Sequence, residues 1–238
     1  MADGSVRRGR KPVISREHVL DAAVDALAAG GADAISLRAI ARSLGVVSSA
    51  IYRHYPSRDA LLTDLLMQTY TSLGQHVAAA EAAVTRANTA ERFAVIVRST
   101  RAWAKQNPHR YALTYGTPVA GYQAPQSILE PAAVIGALIA RVISDAAASG
   151  ATLPPDRARD ELAAGFVPLA EAFDLEPELA SAVVAGVNVW SRLFGHLSFE
   201  LFGRYQGVVD DVDAYTEYLI GDMAQQLGLR RPADPLTS

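Results

Sequence analysis

The sequence predicts an all-α fold in two parts, and three observations carry that prediction. Apolar residues recur at three- and four-residue intervals through nearly the whole chain, and glycine and proline interrupt them at helix-length spacing. No alternating strand pattern and no repeat of solenoid length occurs. The chain has 238 residues, half of them apolar and a fifth charged, enough for a sizeable core and without the composition of a disordered protein.

The helices follow in order. Ser15 is placed to cap a first helix in which Val19, Leu20, Ala23 and Leu27 share a face, and Gly30-Gly31 end it. Ser36 opens a short second helix with Leu37, Ile40, Ala41 and Leu44 at amphipathic spacing, stopped by Gly45. A third is expected over 48–55, halted by Pro56. Ser57 caps a long fourth helix carrying Leu61, Leu62, Leu65, Leu66, Thr69 and Leu73. Further helices are expected over 89–106, 129–149, 156–173, 177–202 and 212–227, with 107–126 as the only long irregular segment.

The net charge of −3 conceals an asymmetry. Residues 1–58 hold nine Lys/Arg and five acids, giving +4, and the other 180 hold 13 basic and 20 acidic groups, giving −7. A basic quarter on an acidic remainder is the pattern of a polyanion-binding module on a carrier domain. The absence of cysteine excludes disulfides, thiol nucleophiles and cysteine-bound zinc, and fits a cytoplasmic location. The longest apolar run, 132–140, is less than half the length of a spanning helix, and the charges after the basic start rule out a signal-peptide core, so no membrane association is expected.

Two short helices joined by a tight turn at glycine are the geometry of a helix-turn-helix, whose second helix lies in the DNA major groove. On the third helix Ala50, Ile51 and Tyr55 fall on an inward face, and Ser48, Ser49, Tyr52 and Arg53 on the opposite one. Arg53 can donate to a guanine edge or a phosphate, and Tyr52 and His54 to backbone oxygens, although Tyr52 and His54 also suit packing. Ser36 and Ser57 place helix amino ends, with free N–H groups, where phosphate can be held. "RRGRKP", with Arg10 and Lys11, reads as a minor-groove arm or a solubilising tail, and its adjacency to a helix-turn-helix favours the arm.

The order of features from Arg16 to Leu66, with "SLRAIARSLGV" and "AIYRHYPSRDALL", resembles the amino-terminal domain of the TetR family of transcriptional regulators. The resemblance implies base reading by Ser48, Ser49, Ala50 and Arg53, phosphate contacts by Tyr52, His54 and Arg58, and a further contact by Arg38. It also implies a second helical domain for a small-molecule effector and for homodimerisation. Domains are accordingly expected at 1–14 (basic flexible arm), 15–75 (DNA-binding), 80–228 (ligand-binding and dimerisation) and 229–238 (flexible tail). Val47 departs from the family, which commonly has serine or threonine there; Ser48 is then expected to supply the cap, moving the helix start by one residue.

"YGTPVAGYQAP" and "VNVWSRLFGHLSFELFG" are similar to a subgroup of these regulators with a Trp and Gly-His signature in the penultimate helix, the WHG type. Apolar stripes at Val183, Val187, Leu197 and Leu201 and at Leu219 and Met223 suit either a dimer interface, which the resemblance favours, or the domain's own core. Trp103, Tyr111, Tyr115, Phe166, Phe173, Trp190 and Phe194 either line an apolar pocket or fill the core. His196 either bonds a ligand or is structural.

No zinc-binding histidine spacing, nucleophile elbow, dinucleotide turn or phosphate loop occurs, so neither an enzyme nor a metal or other cofactor is expected. The expected function is a ligand-responsive repressor released by a small molecule from a palindromic double-stranded operator. The alternative is an all-helical small-molecule binder without sequence-specific DNA binding.

Overall fold

The computed structural model describes residues 14–229, so Arg10 and Lys11 lie outside the described residues. Those described contain twelve α-helices, four short 3-10 turns and no strand. The chain divides into two compact units: residues up to Leu65 together with Val119–Gln123, and Leu66–Pro118 together with the chain from Ala124 onward.

In the first unit α1 (Arg16–Gly30) opens on a capping box: Ser15 Oγ accepts from the His18 N–H at 3.2 Å, and His18 Nδ1 accepts from the Ser15 N–H at 3.3 Å. α2 (Leu37–Ser43) ends in a Schellman turn, in which Val46 N–H donates to Ala41 O and Gly45 N–H to Arg42 O. Gly45 takes φ +65°, and a Cβ there would meet nothing within 4 Å. The requirement for glycine at this turn is therefore conformational, not spatial. α3 covers only Ser48–Tyr52, shorter than expected, because the backbone turns out of the helix ahead of Pro56. Val19, Ala23, Leu27, Ile35, Ile40, Ile51, Leu61 and Leu62 form the core of this unit.

A hydrogen-bonded knot closes that core. Tyr55 is only 1% exposed and donates its hydroxyl to Asp64, which also accepts from Arg16 Nε at 2.7 Å. Burial pushes the Tyr55 phenol up. Burial alone would push the Asp64 carboxyl up as well, but the bonds from Arg16 and Tyr55 outweigh it and hold it below the ordinary carboxylate value.

α4 (Arg58–Ala82) starts in the first unit, where Ser57 Oγ accepts from the Ala60 N–H at 3.1 Å, and runs on into the second. The second unit continues with α5 (Thr89–Gln106), α6 (Pro108–Tyr115), α7 (Leu129–Ala132), α8 (Val134–Ala148), α9 (Arg157–Leu162), α10 (Val167–Ala172), α11 (Ala180–Leu201) and α12 (Val212–Gln226). α8 packs between α5 and α11. A buried ion cluster ties α4, α5 and α8: Arg92 donates to Glu81 and to Asp145, both at 2.5 Å. Such a cluster is costly to break from one side, because the remaining charge is left buried.

Three expectations are corrected here. α6 lies in the stretch expected to be irregular, because Pro108 sits in the first turn, where proline has no N–H to lose. The helix expected over 129–149 bends by 47° between Gln126–Ala132 and Val134–Ala148. That expected over 156–173 is interrupted by a 3-10 turn at Ala163–Phe166. No single helix among the described residues is long and apolar enough to cross a membrane; the bent pair passes only jointly, and its Ile135, Leu138, Ile139 and Val142 are core.

Tyr55→Phe removes the donor to Asp64 and should lower the stability of the first unit by about 1–2 kcal/mol. Urea unfolding followed by circular dichroism checks this, and an unchanged midpoint would remove the knot from the account of stability.

Candidate nucleic-acid interface and ligand cavity

The turn at Gly45 and the burial of Ile51 fix which side of α3 faces out. Ser49, Tyr52 and Arg53 are exposed, Ser48 is half-buried, and Val47 is 64% exposed. On α2 the exposed Arg38 and Arg42 stand one turn apart, and Ser36 is exposed at its amino end. Arg38, Arg42 and Arg53 have no ion-pair partner among the described residues, so their guanidiniums remain available to an anion. Arg42 was missed as a site candidate; its spacing of four from Arg38 was the signal for it.

Other candidates are placed differently. Ala50 is 8% exposed and faces the core, so it is removed from the reading face. His54 donates Nε2–H to Ile14 O at 2.9 Å and so holds the chain entering α1. Arg58 donates to Ile35 O and Ala32 O, each at 2.9 Å, and so holds the segment before α2 instead of lying free for phosphate. Ser36 makes no side-chain cap. Val47 is the N-cap of α3 with no side-chain bond, and α3 starts at Ser48, so the expected one-residue shift does not occur. The missing cap is partly offset by the Ala50 N–H, which donates to Val47 O at 2.9 Å.

In the second unit the aromatic candidates separate into two groups. Trp103, Tyr111 and Phe194 are buried core: Trp103 Nε1 donates to Ser72 Oγ at 3.2 Å, and the Tyr111 hydroxyl donates to Phe194 O at 3.0 Å. Tyr115 stacks on Phe194 with centroids 4.0 Å apart, and its buried hydroxyl has no hydrogen-bond partner among the described residues. Phe166 packs against a smaller cluster of Ala140, Ala170, Leu175 and Val183. Phe173 and Trp190, by contrast, line a cavity of about 230 Å³ between α8, α10 and α11. Its remaining walls are Ala132, Ala133, Gly136, Ile139, Ala140, Ile143, Leu169, Val183, Gly186 and Val187.

The expected dimer stripe is also corrected. Val183, Leu197, Leu219 and Met223 are buried within the chain, Val187 lines the cavity, and Leu201 packs on the core. His196 is structural: Nε2–H donates to Thr216 Oγ1 at 2.9 Å, because that hydroxyl's own hydrogen goes to Val212 O. Nδ1 then accepts from the Tyr205 hydroxyl at 2.9 Å. Burial holds the His196 pKa below its ordinary value of 6.5.

A helix-turn-helix with unpaired arginines on its outer face, joined to a helical unit with an apolar cavity, defines a DNA-binding regulator with a ligand-binding domain. Residues 19–65 match the family model described as bacterial regulatory proteins, tetR family, and residues 93–223 match that of the tetracyclin repressor-like C-terminal domain. The HTH-type transcriptional regulator Rv1816 of Mycobacterium tuberculosis is 36% identical over 204 residues, covering 82% of this chain and 86% of its own. Among solved structures, the regulatory protein SCO4313 is 32% identical, with a TM-score of 0.70 over 87% of this chain and 94% of its own. A Rhodococcus sp. RHA1 protein of unknown function shares the fold at 22% identity, with a TM-score of 0.64 over 94% of this chain and all of its own. The chain belongs to the TetR family of transcriptional regulators, a class that binds DNA and is not enzymatic.

Two measurements test the second unit. Tyr115→Phe removes a buried, unpartnered hydroxyl and should raise stability by about 1 kcal/mol, read as a higher urea midpoint; a lower midpoint would mean the hydroxyl has a partner. For His196 the sign is fixed by its depressed pKa. The unfolded chain takes up the proton near pH 6.5 while the folded one resists it, so this contribution is present above that pH and is lost as pH falls below it. Melting scans from pH 7.5 to 5 should show that loss for the native chain and a flatter profile for His196→Gln.

Proposed function

We propose that the protein is a homodimeric repressor that reads a palindromic operator with α3 and is released by a small molecule bound in the second unit. The observation that carries this reading is the set of unpaired arginines, Arg38, Arg42 and Arg53, around the exposed Ser49 and Tyr52 of a family helix-turn-helix. Arg53 and Ser49 meet base edges, with Ser48 at the margin, and Tyr52, Arg38, Arg42 and the amino ends at Ser36 and Ser57 meet phosphates. His54 and Arg58 act indirectly, by positioning α1 and α2. Arg10 and Lys11 reach the adjacent minor groove.

Dimerisation is supported by the outward faces of α11 and α12 instead of their apolar stripes. α11 exposes Ser191, Gly195 and Phe199 at four-residue spacing, and α12 exposes Ala214, Tyr218 and Gly221. Phe199 and Tyr218 are 53% and 63% exposed, and small residues between such aromatics let a second pair of helices approach closely. A twofold pair places two recognition helices about 34 Å apart, one turn of DNA. Release follows if the effector binds the operator-bound and free dimers unequally.

Titration of the full chain against the DNA flanking its own gene, at several salt concentrations, tests the reading. Specific binding should exceed nonspecific binding by at least about 10³-fold and weaken steeply with salt. Arg53→Ala should relax discrimination between sequences, whereas Arg42→Ala should weaken all sequences alike and reduce the salt slope by about one. Equal, feeble affinity for every sequence would overturn the function, and unchanged preference in Arg53→Ala would overturn that residue's role.

A further inference from the structure

The cavity between α8, α10 and α11 has a composition that restricts what can enter it. Its twelve lining residues are alanine, glycine, valine, leucine, isoleucine, phenylalanine and tryptophan, and the indole nitrogen of Trp190 is the only side-chain polar atom among them. No carboxylate, guanidinium, ammonium or hydroxyl is present to receive a charged or strongly polar group. Empty space persists here because the helices cross at residues without bulk. Gly186 allows α11 onto α8, since a Cβ there would stand 3.0 Å from Ile143 Cδ1, and Gly136 faces the ring of Phe173, whose Cζ would lie 3.3 Å from an added Cβ.

We infer that this cavity is the effector site of the proposed regulator and that it takes an uncharged, hydrocarbon-rich molecule of about nine non-hydrogen atoms. The inference rests on the proposed release by a ligand and adds its chemical class. The size follows from volume: an apolar cavity of about 150 Å³ accepts benzene, and this one measures about 230 Å³. A charged group drawn against this wall is disfavoured by desolvation, because a carboxylate or ammonium there loses its water and gains no opposite charge and no adequate hydrogen-bond partner. The walls also allow adjustment. The segment that supplies Leu169 and Phe173 consists of two six-residue helices separated by a 3-10 turn, with Gly165 inside the break and Pro168 in the first turn of the second helix.

The chain has two tryptophans, so Trp103→Phe leaves Trp190 in the cavity wall as the sole indole reporter. The full-length Trp103→Phe protein is titrated with n-propylbenzene, 3-phenylpropionate and 3-phenylpropylammonium at pH 7, following Trp190 emission and the melting temperature. The hydrocarbon should bind saturably at one per chain and raise the melting temperature, and each ion should bind at least about tenfold more weakly. Val187→Phe fills the cavity and should abolish the response, and Gly136→Val provides a second filled cavity should Val187→Phe fail to fold. Equal binding of either ion, no saturable binding of the hydrocarbon, or undiminished binding in the folded filled variant would each overturn the inference. A separate operator titration keeps the two readings apart. If propylbenzene binds and is blocked by filling, yet the protein stays on its DNA, the assigned site chemistry stands and the proposed release fails.

Discussion

The amino-terminal unit depends on the hydroxyl of Tyr55. α3 is five residues long, has no side-chain cap and stops at Tyr52, four residues before Pro56, so it cannot persist on its own hydrogen bonds. Its position comes from outside: the Schellman turn at Gly45 on one side, the burial of Ile51 beneath it, and the knot of Tyr55, Asp64 and Arg16 on the other. His54 and Arg58 extend the same work, each donating to main-chain oxygens that precede α1 or α2. The crowding of polar groups around residue 55 therefore serves two ends. Some hold the reading helix still, and that restraint leaves Ser49, Tyr52 and Arg53 at the surface on a preorganised scaffold.

The second unit meets a related constraint in the opposite way. One part of its interior is filled by Tyr111, Tyr115 and Phe194 in close ring contact, with the Tyr111 hydroxyl satisfied by a main-chain carbonyl. On the far side of α11 the crossing with α8 is built on glycine and alanine, and no side chain fills the volume. Close packing is the rule in protein interiors, so an apolar hollow of this size at a glycine crossing stands out from the adjoining core. His196, facing neither region, bolts α11 to α12 through Thr216 and to the following turn through Tyr205.

How much of this was legible in the sequence depended on how local its cause was. The first four helices and their order followed from period and punctuation, as did the outward set of Ser49, Tyr52 and Arg53, because all of these are fixed within one or two turns. α6 was not legible, since Pro108 reads as a break unless it is known to occupy a first turn. The duties of His54 and Arg58 were not legible either, because their acceptors lie 40, 23 and 26 residues away. The stripes through Val183 and Leu219 were ambiguous for a different reason. Burial within a chain and burial between chains select the same residues, and only the fold separates them.

The same distinction bears on how a ligand in one unit could act through α4. At Gly74, α4 approaches Val134 so closely that an added Cβ would lie 2.6 Å from Val134 Cγ2. Val134 adjoins Ala133 and lies two residues from Gly136, both in the cavity wall, at the bend between α7 and α8. The absence of a Cβ at Gly74 is what lets α4 and the start of α8 come this close. Seven residues further along, Glu81 on α4 shares Arg92 with Asp145 on α8, which ties the two helices a second time. Under the proposed release, an occupant that displaced the start of α8 would act on α4 at these two contacts, of which the buried ion cluster is the costly one to break.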